Sequence, residues 1–390
     1  MRTAIFKSTS LPKESQKTLG CDAESRVDPI SGHSVIFATQ RGDRPFDFSV
    51  RHSSSPDPNG CPFCVGREHT TPPAVWSGHL GQHEPLSETL ITSESAVADE
   101  LPVTNDWSVR VVPNKFPAVT RPRTGGQGQT PHDESNHGLF RSSVVDGGHE
   151  VIIESPDHVR SISELGFAQC ALVFTAFQAR LKHWRQEPNI QYISIFKNVG
   201  AEAGASLEHG HSQLIATSEL PDEIAMKNGR LARYHAEHGC CLQCDLIRAE
   251  LKHKVRIVAH SDDIVAYCPF ASDMPMKLRI TTATHTDQFE SLNRTELEAV
   301  TRMTLRSVRL LEAVNPGVAY NVLLHTRPPG LTIDSAASHW SIDLVPRLTT
   351  IAGFELSSRF MINPVLPEVA ADRYRSAAAA MAGNRFGFAT

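Results

Sequence analysis

Hydrophobic and polar positions follow two different periods along this chain of 390 residues. Apolar side chains recur at three- and four-residue steps over residues 161–186 and 294–314, which predicts two amphipathic helices. Short runs rich in valine and isoleucine, ended by proline, glycine or aspartate, predict strands. These runs lie at residues 35–38, 108–113, 150–156 and 192–196 in the first half and at residues 264–267, 277–281 and 320–324 in the second. Each half therefore combines strands with one long helix.

Two polar stretches stand apart from these elements. Residues 1–25 are polar and predict a flexible N-terminus. Residues 121–148 are rich in Gly, Ser, Thr and Asp, which is typical of a long surface loop. We expect an N-terminal domain over residues 26–220 and a C-terminal domain over residues 235–370.

Cysteines and histidines follow the predicted elements in the same order in both halves. The first set is Cys61, Cys64, His158 and His209, and the second set is Cys241, Cys244, His285 and His339. The two histidines are 51 residues apart in the first set and 54 apart in the second. The cysteine-to-histidine spacing differs, and the 121–148 loop accounts for part of the difference. We interpret this order as an internal duplication with one β-β-α-β unit per half. The predicted fold class is α+β, with an antiparallel sheet and packed helices in each half.

The two sets are candidate zinc sites. Zinc prefers four tetrahedral ligands drawn from thiolate and imidazole, and a C-x-x-C turn supplies two of them. In a reducing compartment such pairs indicate metal ligands before disulfides. Because protein fills all four positions, both sites are predicted to be structural rather than catalytic. The alternative is that these cysteines are unligated thiols in turns.

Composition and charge narrow the function classes. Hydrophobic residues make up 40% and charged residues 21%, as in soluble globular proteins. The net charge of −5 argues against a dedicated nucleic-acid binder, although local arginines can still hold a small anion. No apolar run reaches the ~18 residues of a membrane span, and the first residues lack the apolar core of a signal peptide. We expect a cytoplasmic protein.

The run His209-Gly210-His211-Ser212-Gln213 is the strongest chemical signal in the chain. If His209 binds a metal ion, the segment is held rigidly and His211 can be positioned for attack on a bound group. Neutral imidazole is a competent nucleophile at pH 7. We expect one ring nitrogen of His211 to hydrogen-bond a backbone carbonyl, which would fix its tautomer. Gln213 can donate its amide to a phosphate oxygen. The alternative is that His211 is a further metal ligand or a surface histidine.

Together these motifs resemble the galactose-1-phosphate uridylyltransferase family, within the histidine-triad superfamily, over most of residues 25–365. The motifs that carry the resemblance are Arg41-x-x-Arg44-Pro45, Cys61-Pro62-Phe63-Cys64, residues 110–117, residues 154–158, residues 198–213 and His339-Trp340. The resemblance implies two histidine-triad-like halves, a nucleotidyl group carried by His211, and a phosphate contact from Gln213. It also implies nucleotide contacts from Arg41, Arg44, Asn114, Phe116, Asn198 and Ser206, with Lys115 and Lys197 as further candidates.

Some positions depart from the best-known members of that family. Gly210 and Ser212 replace their proline and glycine, and the segment from His339 to Asp343 lacks the later histidines of their second half. Ser341 stands where a second nucleophile would lie, so we expect the second half to serve as a scaffold and sugar-side wall. Residues 241–244 and 353–364 are similar to the branch that includes ADP-glucose phosphorylase, which moves an adenylyl group to inorganic phosphate.

The leading functional hypothesis is therefore a UDP-glucose–hexose-1-phosphate uridylyltransferase that acts on a nucleotide sugar and a sugar 1-phosphate by a ping-pong mechanism. An ADP-glucose phosphorylase or another adenylyltransferase is the alternative within the same class. Hydrolysis of a dinucleotide by water is a third reading. A non-catalytic, zinc-dependent nucleotide-binding protein is the alternative from another class. The resemblance also makes a homodimer a possible assembly.

Overall fold

The computed structural model describes residues 23–43, 60–80, 106–121, 139–140, 143–331 and 334–383. The first half contains β1 (Glu24–Val27), β2 (Ser34–Phe37), β3 (Trp76–Gly78), β4 (Val109–Pro113), β5 (Gly147–Ile153), α1 (Phe167–Gln186), β6 (Tyr192–Val199) and β7 (His211–Thr217). The second half contains α2 (Asp222–His238), α3 (Leu242–His253), β8 (Ile257–Ser261), β9 (Ile264–Tyr267), β10 (Leu278–Thr282), α4 (Arg294–Val314), β11 (Tyr320–His325), β12 (Ser341–Pro346), α5 (Gly353–Ser358), β13 (Met361–Asn363) and α6 (Pro367–Gly383).

Both halves contribute to one ten-stranded antiparallel sheet. Its strand order is β3-β4-β5-β7-β6-β11-β12-β10-β9-β8. From one edge to the centre the strands are β3-β4-β5-β7-β6, and from the other edge they are β8-β9-β10-β12-β11. The strands of the two halves therefore follow the same order, in which β7 corresponds to β12 and β6 to β11. The two central strands pair with Asn198 opposite Asn321. The α+β fold class with antiparallel strands and packed helices is confirmed, and the repeated order agrees with the duplication inferred from the sequence.

A hydrophobic core runs under the sheet through both halves. Helices α1 and α4 pack against each other and against the sheet. The core extends without interruption from Trp76 and Leu172 in the first half to Leu344 and Tyr374 in the second. The predicted regions 26–220 and 235–370 therefore share one core. Helix α2 begins between them, and α6 continues past residue 370.

Local sequence explains where the long helices begin. Asn293 caps α4 by accepting the backbone N–H of Glu296, whose carboxylate accepts the Asn293 N–H in return. This helix spans the same residues as the predicted one. The predicted helix at residues 161–186 starts later, at Phe167, because Ser161 caps a separate short turn first. None of the described helices is long and apolar enough to cross a membrane.

A small sheet ties the start of the described chain to its end. β1 pairs with β2, and β13 lies parallel to β2 on the other side. Arg26 on β1 also binds the carboxylate of Glu368 at 2.9 Å. Glu24 and Ser25 therefore belong to a strand, contrary to the flexible N-terminus predicted over residues 1–25; residues 1–22 lie outside the described part. Most of the predicted 121–148 loop also lies outside it, and β5 already begins at Gly147.

Candidate functional site

The first Cys/His set meets between the turn before β3 and the start of β7. The ligand atoms of its four residues lie within 4.8 Å of one another. Sγ of Cys64 lies 3.3 Å from Nδ1 of His158 and 3.5 Å from Nδ1 of His209, and Sγ of Cys61 lies 3.5 Å from the same His209 nitrogen. Bond lengths of about 2.3 Å to sulfur and about 2.0 Å to nitrogen in a tetrahedron place these atoms ~3.5 Å apart. The four side chains therefore fit one tetrahedral metal ion.

The orientation of His209 suits a metal ligand. Its Nε2 donates to the backbone carbonyl of Ser155 at 2.9 Å, which leaves the Nδ1 lone pair directed toward the sulfurs. Burial lowers the pKa of His209 to about 4, so the ring is neutral at pH 7. The same backbone contact restrains the segment that leads into β7.

The second Cys/His set repeats this arrangement in the other half. Its ligand atoms also lie within 4.8 Å of one another. Cys244 Sγ lies 3.4 Å from Nδ1 of both His285 and His339, and Cys241 Sγ lies 4.0 Å from Nδ1 of His339. Nε2 of His285 donates to a backbone carbonyl at 3.2 Å. The described chain thus holds two Cys₂His₂ groups that could bind metal ions, and both consist of the residues predicted from sequence.

His211 begins strand β7 directly beside the first group. Its Nδ1 donates to the backbone carbonyl of His209 at 2.8 Å, which is the tautomer-fixing bond expected from the sequence. Burial lowers the pKa of His211, so the ring is neutral at pH 7 and Nε2 keeps its lone pair. The ring packs against Phe63 from the C-x-x-C turn, with 5.2 Å between centroids. A buried, neutral and oriented imidazole is suited to nucleophilic attack.

Gly210 lets the chain make this close arrangement. Its N–H donates to the carbonyl of Val159 at 2.5 Å, and a Cβ at this position would lie 3.0 Å from the same oxygen. A side chain here would require Val159 to move by a few tenths of an ångström. The backbone bond from Gly210 to Val159 therefore helps to hold His209 and His211 in place.

Gln213 lies on the same sheet face as His211 and is held by His149, a residue that the sequence analysis did not select. His149 Nδ1 accepts the backbone N–H of Ala118 at 3.1 Å, so its Nε2 is the donor to Gln213 Oε1 at 2.8 Å. This bond engages the amide oxygen of Gln213. Among the described residues no hydrogen bond engages the amide nitrogen, which can donate to an anionic ligand.

The other predicted binding residues differ in how they are placed relative to this face. Asn198 shares the face with His211, and its Oδ1 accepts from Asn321 at 2.7 Å. Asn114 follows β4 and its Oδ1 accepts the N–H of Phe116, whose ring is 84% exposed. Ser206 is exposed on the turn before His209, and Arg41 is exposed on a short turn after β2. No described contact joins Arg41 to His211, and Arg44 lies outside the described residues.

Lys197 is not available to a nucleotide on this face. It points into the core from β6, is 3% exposed, and its Nζ binds the carboxylate of Glu154 at 2.7 Å. Ser212 donates to the other oxygen of Glu154 at 2.6 Å. The nucleotide contact considered for Lys197 is therefore wrong. Its buried position was readable from β6, in which Ile193, Ile195 and Val199 share its parity.

Comparisons with known proteins agree with this geometry. The family model for galactose-1-phosphate uridyl transferase, N-terminal domain, matches residues 80–221. An ADP-glucose phosphorylase from Arabidopsis thaliana is 30% identical over 351 residues, which cover 88% of this chain and 90% of that protein. A galactose-1-phosphate uridylyltransferase from Thermotoga maritima is 24% identical over 90% of this chain and 98% of its own length.

The chain belongs to the galactose-1-phosphate uridylyltransferase family. A crystal structure of an Arabidopsis thaliana ADP-glucose phosphorylase with bound ADP-glucose matches the fold with a TM-score of 0.71 and 28% identity, covering 90% of this chain and 98% of that one. A solved uridylyltransferase shares the fold with a TM-score of 0.64 and 22% identity, over 92% of this chain and 99% of the other. The protein is therefore an enzyme of the nucleotidyl-transferring type that acts on sugar phosphates.

Within this family member, the second half presents different chemistry at the positions that match His211 and Gln213. Ser341 and Asp343 occupy them, and both are about 1% exposed. Asp343 accepts two hydrogen bonds from Arg279, each at 2.7 Å, and lies 3.2 Å from the amine of Lys277. Ser341 offers no imidazole, and a carboxylate held by two cations cannot donate a hydrogen bond as the Gln213 amide can, so the two halves differ at both positions.

Proposed function

We propose that this enzyme transfers a nucleoside monophosphate from a nucleotide sugar through a covalent intermediate on His211. The observation that carries the proposal is the bond from His211 Nδ1 to the His209 carbonyl at 2.8 Å. It makes Nε2 the nucleophilic nitrogen and holds the ring beside the first Cys₂His₂ group. Holding a nucleophile in one orientation removes much of the entropic cost of attack.

The reaction follows in two displacements at the same phosphorus. In the first, the Nε2 lone pair of His211 forms a P–N bond to the α-phosphorus while the P–O bond to the β-phosphate breaks, releasing sugar 1-phosphate. In the second, an oxygen of the acceptor phosphate attacks the α-phosphorus, the P–N bond breaks, and its electron pair returns to Nε2. Two successive displacements regenerate free histidine without a net redox change.

Gln213 is the residue that we assign to charge on the transferring group. Its amide nitrogen can donate to a non-bridging α-phosphate oxygen while His149 holds its carbonyl oxygen. Asn198 shares the sheet face, and the remaining candidates for nucleotide contacts are Arg41, Arg44, Asn114, Phe116 and Ser206. Within the described residues, contacts to His149 connect Asn114 with Gln213.

ADP-glucose is the preferred donor and inorganic phosphate the preferred acceptor. Support comes from the relative named ADP-glucose phosphorylase, which is 30% identical over 88% of the chain, against 24% for the Thermotoga maritima uridylyltransferase. Uridylyl transfer from UDP-glucose to a hexose 1-phosphate, the leading hypothesis from sequence, is the second candidate. It is favoured by the family model that matches residues 80–221.

A labelling experiment tests both the intermediate and the donor. The enzyme is incubated separately with ADP-glucose and UDP-glucose labelled at the α-phosphate, and acid-labile label on the protein is measured. We expect stronger labelling from ADP-glucose, release of label as ADP on addition of phosphate, and no label on His211→Asn. Labelling from UDP-glucose alone would support the second candidate. Absence of label from both donors would support a non-catalytic binding protein, and release of label by water alone would support hydrolysis.

We propose that both Cys₂His₂ groups hold structural zinc. Thiolate and imidazole ligands in a closed tetrahedral set are typical of such sites, where the ion stabilises the fold and takes no part in chemistry. Metal analysis is expected to find two zinc ions per chain, with one lost in Cys64→Ser and the other in Cys244→Ser. Unchanged zinc content in either variant would contradict the assignment of that site.

We also propose a cytoplasmic homodimer. Phe354, Leu356 and Phe360 expose apolar side chains around helix α5, with 67% of Leu356 exposed. Light scattering coupled to size exclusion tests the assembly, and a monomer mass at micromolar concentration would contradict it.

A further inference from the structure

The second half contains a cavity at the position that corresponds to the His211 site. The local two-fold of the sheet relates β7 to β12 and β6 to β11, so the ends of β11 and β12 match the segments around Asn198 and His211. Helix α2 covers this end of the second half. The polar residues that line the cavity include Lys227, Asn228, His325, Arg327 and Ser338, and His339 of the second Cys/His set lies at its edge.

Two donors in this cavity lack protein partners. Ser338 is 2% exposed, and within the described part of the chain its hydroxyl makes no hydrogen bond. The amine of Lys227 makes no ion pair with any carboxylate of the described residues, although burial lowers its pKa to about 8. A buried hydroxyl without an acceptor is costly to fold, and the half-buried amine of Lys227 adds positive charge to the same cavity, which points to an anionic acceptor that the protein itself does not supply.

The nearest carboxylates are already engaged. Asp343 accepts from both nitrogens of the Arg279 fork and lies close to Lys277. Asp28 accepts the Ser31 hydroxyl at 2.7 Å together with two backbone N–H groups. These contacts satisfy the carboxylates locally, and no carboxylate of the described residues forms an ion pair with Lys227.

His325 adds a third polar group to the same wall. Its Nε2 lies 3.6 Å from Asp343, beyond hydrogen-bond distance, and burial lowers its pKa. Arg327 is held by Asp287 at 2.6 Å, which fixes the loop that closes the cavity. Polar side chains from a helix, a strand and a turn therefore surround one small space.

We propose that this cavity is a second, non-catalytic binding site for a small tetrahedral oxyanion, either inorganic phosphate or the phosphate group of a phosphomonoester. Lys227 supplies charge and hydrogen bonds from α2, and the Ser338 hydroxyl donates from the opposite wall. The position corresponds to the place where the first half carries His211. Ser341 takes the place of that imidazole, so the bound group is held without being transferred. The ligand chemistry rests on the residues of this cavity and does not depend on which donor the first half uses.

Calorimetric titration of the full-length protein with inorganic phosphate tests the site. We expect Lys227→Met, which keeps the length of the side chain, to bind one phosphate fewer than the wild type or to bind it at least ~10-fold more weakly. Ser338→Ala should weaken the same binding event with a smaller change in volume. Lys182→Met, an exposed lysine on α1, is the matched control and should titrate as the wild type.

A second arm separates this site from the first half and identifies the source of the phosphate. Gln213→Ala should leave the Lys227-dependent event in place, because Gln213 lies in the other half. Titration with glucose 1-phosphate in parallel with inorganic phosphate decides between the ester and the free anion. If Lys227→Met and Ser338→Ala both titrate as the wild type while remaining folded, the proposal is overturned. Absence of any binding of either probe to wild-type protein beyond the Gln213-dependent event has the same consequence.

Discussion

The two halves of the sheet share one strand order, but corresponding positions of β7 and β12 carry side chains with different chemical properties. In the first half His211 and Gln213 are neutral, and Gln213 is only half-buried. In the second half Ser341 and Asp343 are almost completely buried, and Asp343 is bound by Arg279. The same scaffold therefore supports a candidate reaction centre on one side and a locked ion cluster on the other.

The difference shows what each arrangement requires. A histidine nucleophile needs a free lone pair and access to substrate, and within the described residues the hydrogen bonds at this site engage only Nδ1 of His211 and the carbonyl oxygen of Gln213. A buried carboxylate instead needs cations that pair with it, because any unpaired charge in the interior is costly. Arg279 and Lys277 supply that compensation for Asp343.

The largest expected effect comes from His211→Asn, which removes the nucleophile and retains a polar side chain. We expect kcat/KM for nucleotidyl transfer to fall at least ~10⁴-fold. Ser341→Ala, at the corresponding position of the second half, should retain wild-type activity. Comparable losses in both variants would contradict the functional asymmetry between the halves. Steady-state kinetics with a folded-state check by circular dichroism makes the comparison.

The next effect is on stability. Asp343→Ala leaves Arg279 and Lys277 buried without their shared counter-ion and should lower the free energy of unfolding by about 3–5 kcal/mol. Glu298→Ala breaks an exposed pair with Arg294 on α4 and should cost less than about 1 kcal/mol. Urea denaturation measures both. Equal costs would mean that Asp343 is not the centre of the buried cluster.

The ion pairs of Asp343 with Arg279 and Lys277 also predict that stability depends on pH. Burial opposes ionisation of Asp343, but the charges of Arg279 and Lys277 hold its pKa well below the ordinary range. Its contribution to stability is therefore complete above the unfolded-state pKa of about 3.9 and is lost as pH falls through the folded-state pKa. The difference in stability between the wild type and Asp343→Asn should shrink toward acid pH, and a difference that grows there would contradict this sign.

Gln213→Ala tests the charge-stabilising role in the first half. We expect kcat to fall by about 10²–10³-fold with little change in the thermal midpoint, because the lost hydrogen bond strengthens only as charge moves onto the α-phosphate. Single-turnover kinetics with labelled donor separates the transfer step from product release. A change confined to KM would instead assign Gln213 to ground-state binding.

The smallest expected effect is at His149, which contacts Gln213 rather than the reacting group. His149→Ala should lower kcat about 10-fold by releasing the Gln213 amide. In the double variant with Gln213→Ala, His149→Ala should add no further loss, as expected for a residue that acts through its partner. Additive losses would show that His149 acts independently of Gln213.

The long elements could be predicted because their signals are local. The period of apolar residues and the Asn293 cap define α4, and both belong to neighbouring positions in the chain. Helices α2 and α3 were not predicted, because their buried side chains are few and pack on distant residues. Leu231 and Leu242 form a small cluster with Ile30 from the loop between β1 and β2. Such contacts have no signature in a short stretch of sequence.

The candidate site divides in the same way. Both Cys₂His₂ groups could be predicted because the order of ligands recurs in each half. The bond between His149 and Gln213 could not, because the two residues are 64 positions apart and meet only through the pairing of β5 with β7. For Lys197, the alternation along β6 indicated a buried position, whereas the nucleotide contact rested on the family resemblance.

By itself, the sequence determined which residues could do chemistry: the ligand types, their repeated order, and the histidine that stays free beside a predicted metal ligand. Spacing and residue type decide these properties, since they depend on ligand chemistry and local geometry alone. Only the tertiary structure decided which ring nitrogen of His211 is free, which face Lys197 occupies, and that the second half buries Asp343 between Arg279 and Lys277. Each of these depends on strand register and on helices that pack across the sheet, and such contacts join residues far apart in the chain.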